Sequence, residues 1–487
     1  MDGQVNSESL FSTIGTSEIQ AAVADILVST QQAIAELFEG FIEGEVTPAN
    51  THAVEVSLQK ELRKAGRELL QWLISSLETS DVERMPCSIK IRGKTFRRLA
   101  DKTPNHDVVT LFGRVKFERA RYRRGRAGKT VSPLQINLGI MRGFTPAAAD
   151  MTGKQFAATG SSQGRTIAAL IDRIDVGIGA SKLRNLAACL ADSLEPYREE
   201  CQIDQLNKWL AKAWETRKTP VLSVSRDGVS LGIAPGGYFE MASVATITVL
   251  AEGKRLGTVY LGRAPETNQQ TLTNNLTSLL RKVLSACGDK LPNVVYVTDA
   301  GKIETAYWKN VLRKFFVDGR RIKILRVVDY YHASERLTKI ADALKFGKNK
   351  QKRFAWLAHV RGLLLKPGGH GRMLRSVAKM KKLYGYKVAA KSTASEAEAY
   401  LRRYRRFMDY AAMRKQKCPI GSGVVESGCK QVVSERLKLA GMRWHREGAQ
   451  HVLTLRCILL SKIWETTYKK MLDSLPTVSD PIITLAP

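Results

Sequence analysis

Residues 221–263 are VLSVSRDGVSLGIAPGGYFEMASVATITVLAEGKRLGTVYLGR. Val221-Leu222-Ser223-Val224-Ser225 is a short apolar strand that ends in Asp227-Gly228, and Phe239 to Ala251 and Arg255 to Leu261 are two more strands joined by the hairpin turn Glu252-Gly253-Lys254. Downstream, Leu272, Leu276, Leu279, Leu280, Val283 and Leu284 share one side of a helix expected over 269–287. Asn293 to Thr298 (NVVYVT) predicts a buried strand ending at Asp299-Ala300-Gly301. A helix over 304–316, a strand over 323–328 and a helix over 333–344 complete the run. The order β-β-β-α-β-α-β-α opens with an antiparallel meander and closes with crossover helices that imply parallel strands, which makes the core α/β.

Around this core the chain is long and basic. Its 487 residues allow about three domains and a sizeable core. There are 77 Lys and Arg against 46 Asp and Glu, a formal charge of +31, alongside 44% hydrophobic residues, so the charge belongs to a folded body and not to a disordered tail. Residues 1–59 hold nine acidic residues and no Lys or Arg, which leaves 77 basic against 37 acidic residues, +40, for the rest. A folded body of that charge calls for a polyanionic partner, nucleic acid before membrane surface. No apolar run reaches 18 residues and the N-terminus is acidic where a signal peptide is basic, so no membrane association is expected and a cytoplasmic, nucleoid-associated location is. The seven cysteines are scattered without a CxxC pair, which argues for reduced thiols; Cys418, Cys429, His445, His451 and Cys457 lack the short ligand pair of a zinc site.

The organisation expected from these patterns is a helical arm over 1–80, acidic then basic; a small β region over 85–130; a helical DNA-binding region over 140–215; the first part of the core over 219–342; a basic helical insertion over 343–417; and the remainder of the core over 418–470. In the arm, 17–44 is an acidic amphipathic helix, Thr47-Pro48-Ala49-Asn50-Thr51 a break, and 56–77 a second helix. The arm is expected to pack as a helical hairpin, with a dimerisation or regulatory role as the alternative, including competition with DNA for the basic channel. Alternation over 88–94 and 108–119 predicts strands whose polar face is cationic. Helices over 145–200 are expected to break at Gly160, Gly164, Gly177 and Gly179.

Three carboxylates carry the chemistry. Asp227 and Asp299 stand where apolar strands stop, and in open α/β sheets ligands bind at the carboxyl ends of parallel strands. Each is also a plausible turn residue beside glycine. Glu426 falls in the first turn of a helix that follows the glycine-rich Gly421-Ser422-Gly423, where the helix N-terminus favours an ionised carboxylate; a capping role is its alternative. Taken together inside a basic body, the three match what two divalent ions about 3.5–4 Å apart require for phosphoryl transfer: hard oxygen ligands beside a polyanion channel.

CPIGSGVVESGCKQVVSERLKLAGMRWHREGAQHVLTLR (Cys418–Arg456), with the Asp227 strand, VTDAG (Val297–Gly301) and DYYHASERL (Asp329–Leu337), resembles the DDE transposases of bacterial insertion sequences, specifically the Kra-type family. The resemblance spans roughly 90–465. It implies an RNase H-like (retroviral integrase-type) core interrupted by an all-helical insertion, preceded by helical and small-β N-terminal domains. It implies a triad of Asp227, Asp299 and Glu426 holding two Mg²⁺ or Mn²⁺ ions, binding of double-stranded DNA at element ends and target, and a homodimer or higher synaptic oligomer. The spacings of 72 residues from Asp227 to Asp299 and 127 from Asp299 to Glu426 leave room for the insertion. Family members often carry zinc-ribbon cysteines after the tyrosine-arginine stretch; Tyr122-Arg123-Arg124-Gly125-Arg126-Ala127-Gly128-Lys129 has none. A nuclease that cuts without strand transfer and a non-catalytic DNA-binding descendant are the rival functions.

Accessory candidates follow. Asp329 and His332 form a DxxH pattern after the last core strand, His332 serving either to orient a phosphate or to bond within the fold. The insertion carries 21 Lys or Arg against three acidic residues with aromatics interleaved, densest at Arg402-Arg403-Tyr404-Arg405-Arg406, and is expected to grip phosphates. Lys430, Arg443 and Trp444 are further DNA-binding candidates, Trp444 either as a base-stacking platform or as a core anchor.

Overall fold

The computed structural model describes residues 14–78, 85–91, 93–99, 103–104, 107–346 and 350–478. Residues 1–13 and 79–80 of the expected arm, 92, 100–102 and 105–106 of the β region and 347–349 of the insertion lie outside the described residues. The protein is a mixed α/β chain. Of the described residues, those up to 156, 161–193 and from 468 onward make one compact unit, and 157–160 with 194–467 make the other.

In the first unit, α1 (Thr16–Glu43) and α2 (Pro48–Ser76) lie where the two amphipathic patterns are; Thr47 accepts a hydrogen bond from the Asn50 amide (3.2 Å) and Pro48 takes the first helical position. A four-stranded antiparallel sheet contains Ser88–Ile91, Lys94–Arg98, Tyr122–Arg123 and Thr130–Val131. Ile89, Tyr122, Met85 and Ala120 are its core, while Lys90, Lys94 and Arg97 are exposed. The helix Gln163–Ile174 begins before Gly164, which sits in its first turn where the expected break fails; Ser162 caps it by accepting from the Arg165 amide.

The second unit is organised by one five-stranded sheet. Its strands are β1 (Val221–Gly232), β2 (Phe239–Ala251), β3 (Lys254–Arg263), β4 (Asn293–Thr298) and β5 (Ile324–Val328), in the order β3-β2-β1-β4-β5. β1, β2 and β3 pair antiparallel, β4 runs parallel to β1, and β5 runs parallel to β4. Successive side chains alternate between the faces. Leu222, Val224, Val294 and Tyr296 join one core with Leu272, Leu276, Leu280 and Val283 of α3 (Gln270–Ala286). Val221, Val295, Val297 and Val328 join the opposite core with Leu337 and Ile340 of α5 (Tyr330–Ala343). Burying each such side chain contributes roughly 1.5–3 kcal/mol, which makes these faces the main stabilisation of the sheet. The helix expected over 304–316 is shorter, α4 (Lys302–Asn310), because the chain turns into a small hairpin of Phe316–Val317 and Arg320–Arg321.

The insertion comprises α6 (Lys350–Leu364), α7 (Gly369–Tyr384), α8 (Lys391–Arg403) and α9 (Tyr410–Lys415). Leu357, Val360, Met373, Val377, Ala397 and Leu401 extend the core of the α5 face, so the insertion is built onto the sheet's own packing. Most of its aromatics serve that core: Phe346, Trp356 and Tyr404 are buried, whereas Phe354 is 59% exposed. After it comes α10 (Gly423–Gly428), then one wide π turn over Cys429–Ser434, and later α11 (Arg446–Leu460). The fully buried Arg456 of α11 donates to the carbonyls of Gln431, Val432 and Ala157, satisfying backbone acceptors at the wide turn.

Candidate active site

β1 does not stop before Asp227 as the Asp-Gly pair suggests. It continues to Gly232, because β2 supplies an antiparallel partner throughout, with Asp227 opposite Val244. The parallel ladder with β4 ends earlier, at Val224 opposite Tyr296, so Asp227 lies beyond the last β1–β4 pair on the side toward which β4 delivers Asp299. Pleating sends the neighbouring Arg226 to the opposite face, where it is buried and donates to Thr273 Oγ1 (3.0 Å) and Gln269 Oε1 (2.6 Å). Asp227 Oδ1 accepts from the Gly228 amide at 2.7 Å, and Oδ2 accepts from the Cys429 thiol at 3.7 Å.

Asp299 follows the end of β4, its Oδ1 accepting from the Gly301 amide at 2.9 Å. Glu426 enters from α10. That short helix approaches the sheet closely because residue 428 is glycine: a Cβ there would stand 3.3 Å from both Thr246 Cγ2 and Tyr260 Cε1. Ser422, at the N-cap of α10, makes no side-chain cap hydrogen bond; its Oγ stands 2.7 Å from Glu426 Oε1. Burial, partly offset by the Gly228 hydrogen bond, raises the Asp227 carboxyl above its ordinary pKa, and the charges of Asp299 and Glu426 raise it further. The Cys429 thiol is pushed up by burial and by Asp227.

A fourth carboxylate, absent from the expected set, belongs to the same neighbourhood. Glu304, in the first turn of α4, curls back over Gly301: a Cβ on Gly301 would collide with Glu304 Oε2 while standing 3.4 Å from Asp299 Oδ1. Burial raises the Glu304 carboxyl, and the charges of Asp299 and Asp227 add to it while Arg226 opposes. Its signal in the sequence is Asp299-Ala300-Gly301-Lys302-Ile303-Glu304, a first-turn acid that resembles an ordinary helix-dipole partner.

Asp329 and His332 meet Glu426 differently. Ligand-type atoms of Asp329, His332 and Glu426 lie within 4.8 Å of one another, a group with the composition to hold a cation. Asp329 is completely buried, caps α5 by accepting from the Tyr331 and His332 amides, accepts from the Ser422 amide, and shares the single hydroxyl proton of Ser422 with Glu426. Burial alone would raise its pKa, but hydrogen bonding from His332 and Ser422 outweighs burial and brings it to about 2. His332 Nδ1 stands 3.7 Å from Asp329 Oδ1, an ion-pair distance, and Asp329 lifts the imidazole to about 9 against the opposing effect of burial. The Asp329–Ser422–Glu426 chain is a strut that holds Glu426 beside Asp329 and His332, within the group whose composition suits a cation.

Of the DNA-contact candidates, Arg402, Arg403, Arg405 and Arg406 are all exposed; Arg402 stands 3.8 Å from Glu398, and the Arg403 guanidinium lies over the Tyr404 ring. Lys430 and Arg443 are exposed as well. Trp444 is half-buried, and its indole N–H donates to the Leu437 carbonyl at 2.9 Å while its backbone bridges to Ile233, just past the end of β1. These contacts are those of an anchor. Among the described residues no helix is long and apolar enough to cross a membrane, and Cys87, Cys189, Cys201, Cys287, Cys418, Cys429 and Cys457 are all free thiols.

No family model matches the chain, and no curated protein matches it.

Proposed function

We propose that the protein is a DNA transposase of the DDE class, with Asp227, Asp299 and Glu426 as the ligands of two divalent ions and an RNase H-like core as their scaffold. What supports this is that Asp227 of β1 lies beyond the last β1–β4 pair on the side where β4 delivers Asp299, with Cys429, next to α10, bonded to Asp227, and with the charges of Asp299 and Glu426 both acting on Asp227. Among the described residues, the group whose ligand atoms all lie within 4.8 Å of one another is Asp329, His332 and Glu426. The sheet order β3-β2-β1-β4-β5, with a meander followed by two parallel strands, supports the same scaffold.

Each carboxylate has an oxygen held by a neighbour, Gly228, Gly301 or Ser422, and the second oxygen of Asp227 also accepts from the Cys429 thiol. Mutual repulsion among them is a cost that bound cations would remove. Bound Mg²⁺ or Mn²⁺ would supply Lewis acidity at the attacking and leaving oxygens. Water then breaks a phosphodiester at the element end to leave a 3′-hydroxyl, and that hydroxyl attacks a target phosphodiester, releasing a target 3′-oxygen. The exposed arginines of 402–406, with Lys430 and Arg443, would hold the DNA backbone for both steps. Two ends must meet, so a homodimer or larger assembly goes with this reading.

The test is a labelled duplex carrying a candidate element end, with a supercoiled target plasmid and Mg²⁺ or Mn²⁺. Nicked and joined products from the wild-type protein, reduced at least ~10²–10³-fold in Asp299→Asn, are expected. Cutting without joining would favour a nuclease, and salt-sensitive binding with no cutting would favour a DNA-binding protein.

A further inference from the structure

Parallel strands that end at a site leave carbonyls with no next strand to accept from. At the end of β4 the acceptors are Asp299 and Ala300, and Ala300 adopts φ +67, a left-handed conformation that alanine disfavours. Locally the turn is shaped by the Gly301 amide on Asp299 Oδ1 (2.9 Å) and by the Thr305 hydroxyl on the Ala300 carbonyl (3.2 Å); further donors to the Asp299 and Ala300 carbonyls come from far along the chain.

The contacts come from the insertion. The Tyr400 hydroxyl, on α8, donates to the Asp299 carbonyl at 2.7 Å, and the Tyr404 hydroxyl, at the C-terminal end of the same helix, donates to the Ala300 carbonyl at 3.3 Å. These partners are 101 and 104 residues away in sequence. The two rings pack on each other with centroids 5.0 Å apart, and they are backed by Arg336 of α5 over Tyr400 (4.9 Å) and Arg326 of β5 over Tyr404 (5.6 Å). Tyr404 is 8% exposed. Tyr410 of α9 repeats the arrangement at the neighbouring strand end, donating to the Val328 carbonyl at 2.9 Å just before Asp329. Between and beside these tyrosines stand Arg402, Arg403, Arg405 and Arg406, all exposed.

We propose that Tyr400 and Tyr404 are positioning residues whose hydroxyls lock the Asp299-Ala300-Gly301 turn, so that the segment presenting arginines to DNA also sets the place of the Asp299 carboxylate. Both hydroxyls are engaged with the backbone of Asp299 and Ala300 and act through it. The inference rests on the metal-site role of Asp299 given above, and it extends that role to a coupling: the insertion is part of the site's frame, and a shift of α8 moves Asp299.

Phenylalanine keeps each ring in its packing and removes only the hydrogen bond. In the full-length protein, Mn²⁺ binding is titrated by the electron paramagnetic resonance signal of free Mn²⁺ for wild type, Asp299→Asn, Tyr400→Phe and Tyr400→Phe/Tyr404→Phe. Duplex affinity at fixed salt and thermal midpoint are measured on the same samples. A weakening of Mn²⁺ binding by about three- to tenfold in Tyr400→Phe, larger in the double variant, with duplex affinity unchanged, is expected from loss of such hydrogen bonds. Wild-type Mn²⁺ affinity in both tyrosine variants, alongside its loss in Asp299→Asn, overturns the proposal and leaves the metal site standing. Equal loss of Mn²⁺ and duplex binding with a lowered thermal midpoint also overturns it, since the hydroxyls would then serve general stability. Identical Mn²⁺ binding by wild type and Asp299→Asn overturns the metal-site reading itself and the proposal with it.

Discussion

Asp227 within β1, Asp299 after β4 and Glu426 on α10 lie in one compact unit with the arginines of the insertion, but the two sets are held in opposite ways. Asp227, Asp299 and Glu426 each have an oxygen fixed by a backbone amide or by Ser422, and Asp329 braces that serine from complete burial. Arg402, Arg403, Arg405 and Arg406 are exposed, with one loose ion pair and one ring contact among them. The contrast follows from what each set has to meet. Divalent ions accept only a narrow geometry, so their ligands must be ordered before the ion arrives. A phosphate backbone presents charge at every step, so a field of mobile cations suffices and its strength depends on their number.

The largest effect expected from this contrast is at Asp227. Asp227→Asn should reduce cleavage by at least ~10²–10³-fold. Its folded-state pKa is raised, so its ionised form is less favourable in the folded protein than in the unfolded chain, and the same substitution should raise the metal-free thermal midpoint at neutral pH. A lowered midpoint, read by scanning calorimetry, would mean the carboxylate is not held against its own electrostatic preference.

Next comes the arginine cluster. Replacing Arg402, Arg403, Arg405 and Arg406 together by alanine should weaken duplex binding across all sequences and reduce the slope of log affinity against log salt by roughly 0.9 for each phosphate that is no longer neutralised. Fluorescence anisotropy at several salt concentrations reads that slope. An unchanged slope would place the DNA on another surface.

The smallest effect expected is at His332. Its folded-state value of about 9 lies above the ordinary 6.5, so its stabilising proton is fully present below pH 6.5 and is lost as the pH rises through 9. The wild-type thermal midpoint should fall over that window by more than that of His332→Gln. Parallel curves for the two would remove the Asp329–His332 pair as a support of the strut.

Element order was legible because the pattern is local: the continuous apolar run in NVVYVT and the leucines of α3 need no distant partner to be recognised. Asp227, Asp299 and Glu426 were legible as candidates for the same reason, each standing beside a glycine-marked boundary. The course of β1 past Asp227 was not, since Asp-Gly is a local turn signal and the overriding cause is pairing with β2, set by Val244 and its neighbours. Nor was the shortening of α10 into a π turn, whose carbonyls are met by Arg456 from another helix.

By itself the sequence determined an α/β core, a strongly basic body with an acidic beginning, Asp299 at a strand end and Glu426 in the first turn of a helix. Only the tertiary structure decided that Glu304 shares the space above Gly301, that Asp329 braces Ser422 and Glu426, and that Tyr400 reaches Asp299 across 101 residues. The physical reason is range. Strand and helix propensities act over a few neighbours along the chain, whereas a hydrogen bond to a buried carbonyl or carboxylate is settled by whichever donor the packed core brings within about 3 Å.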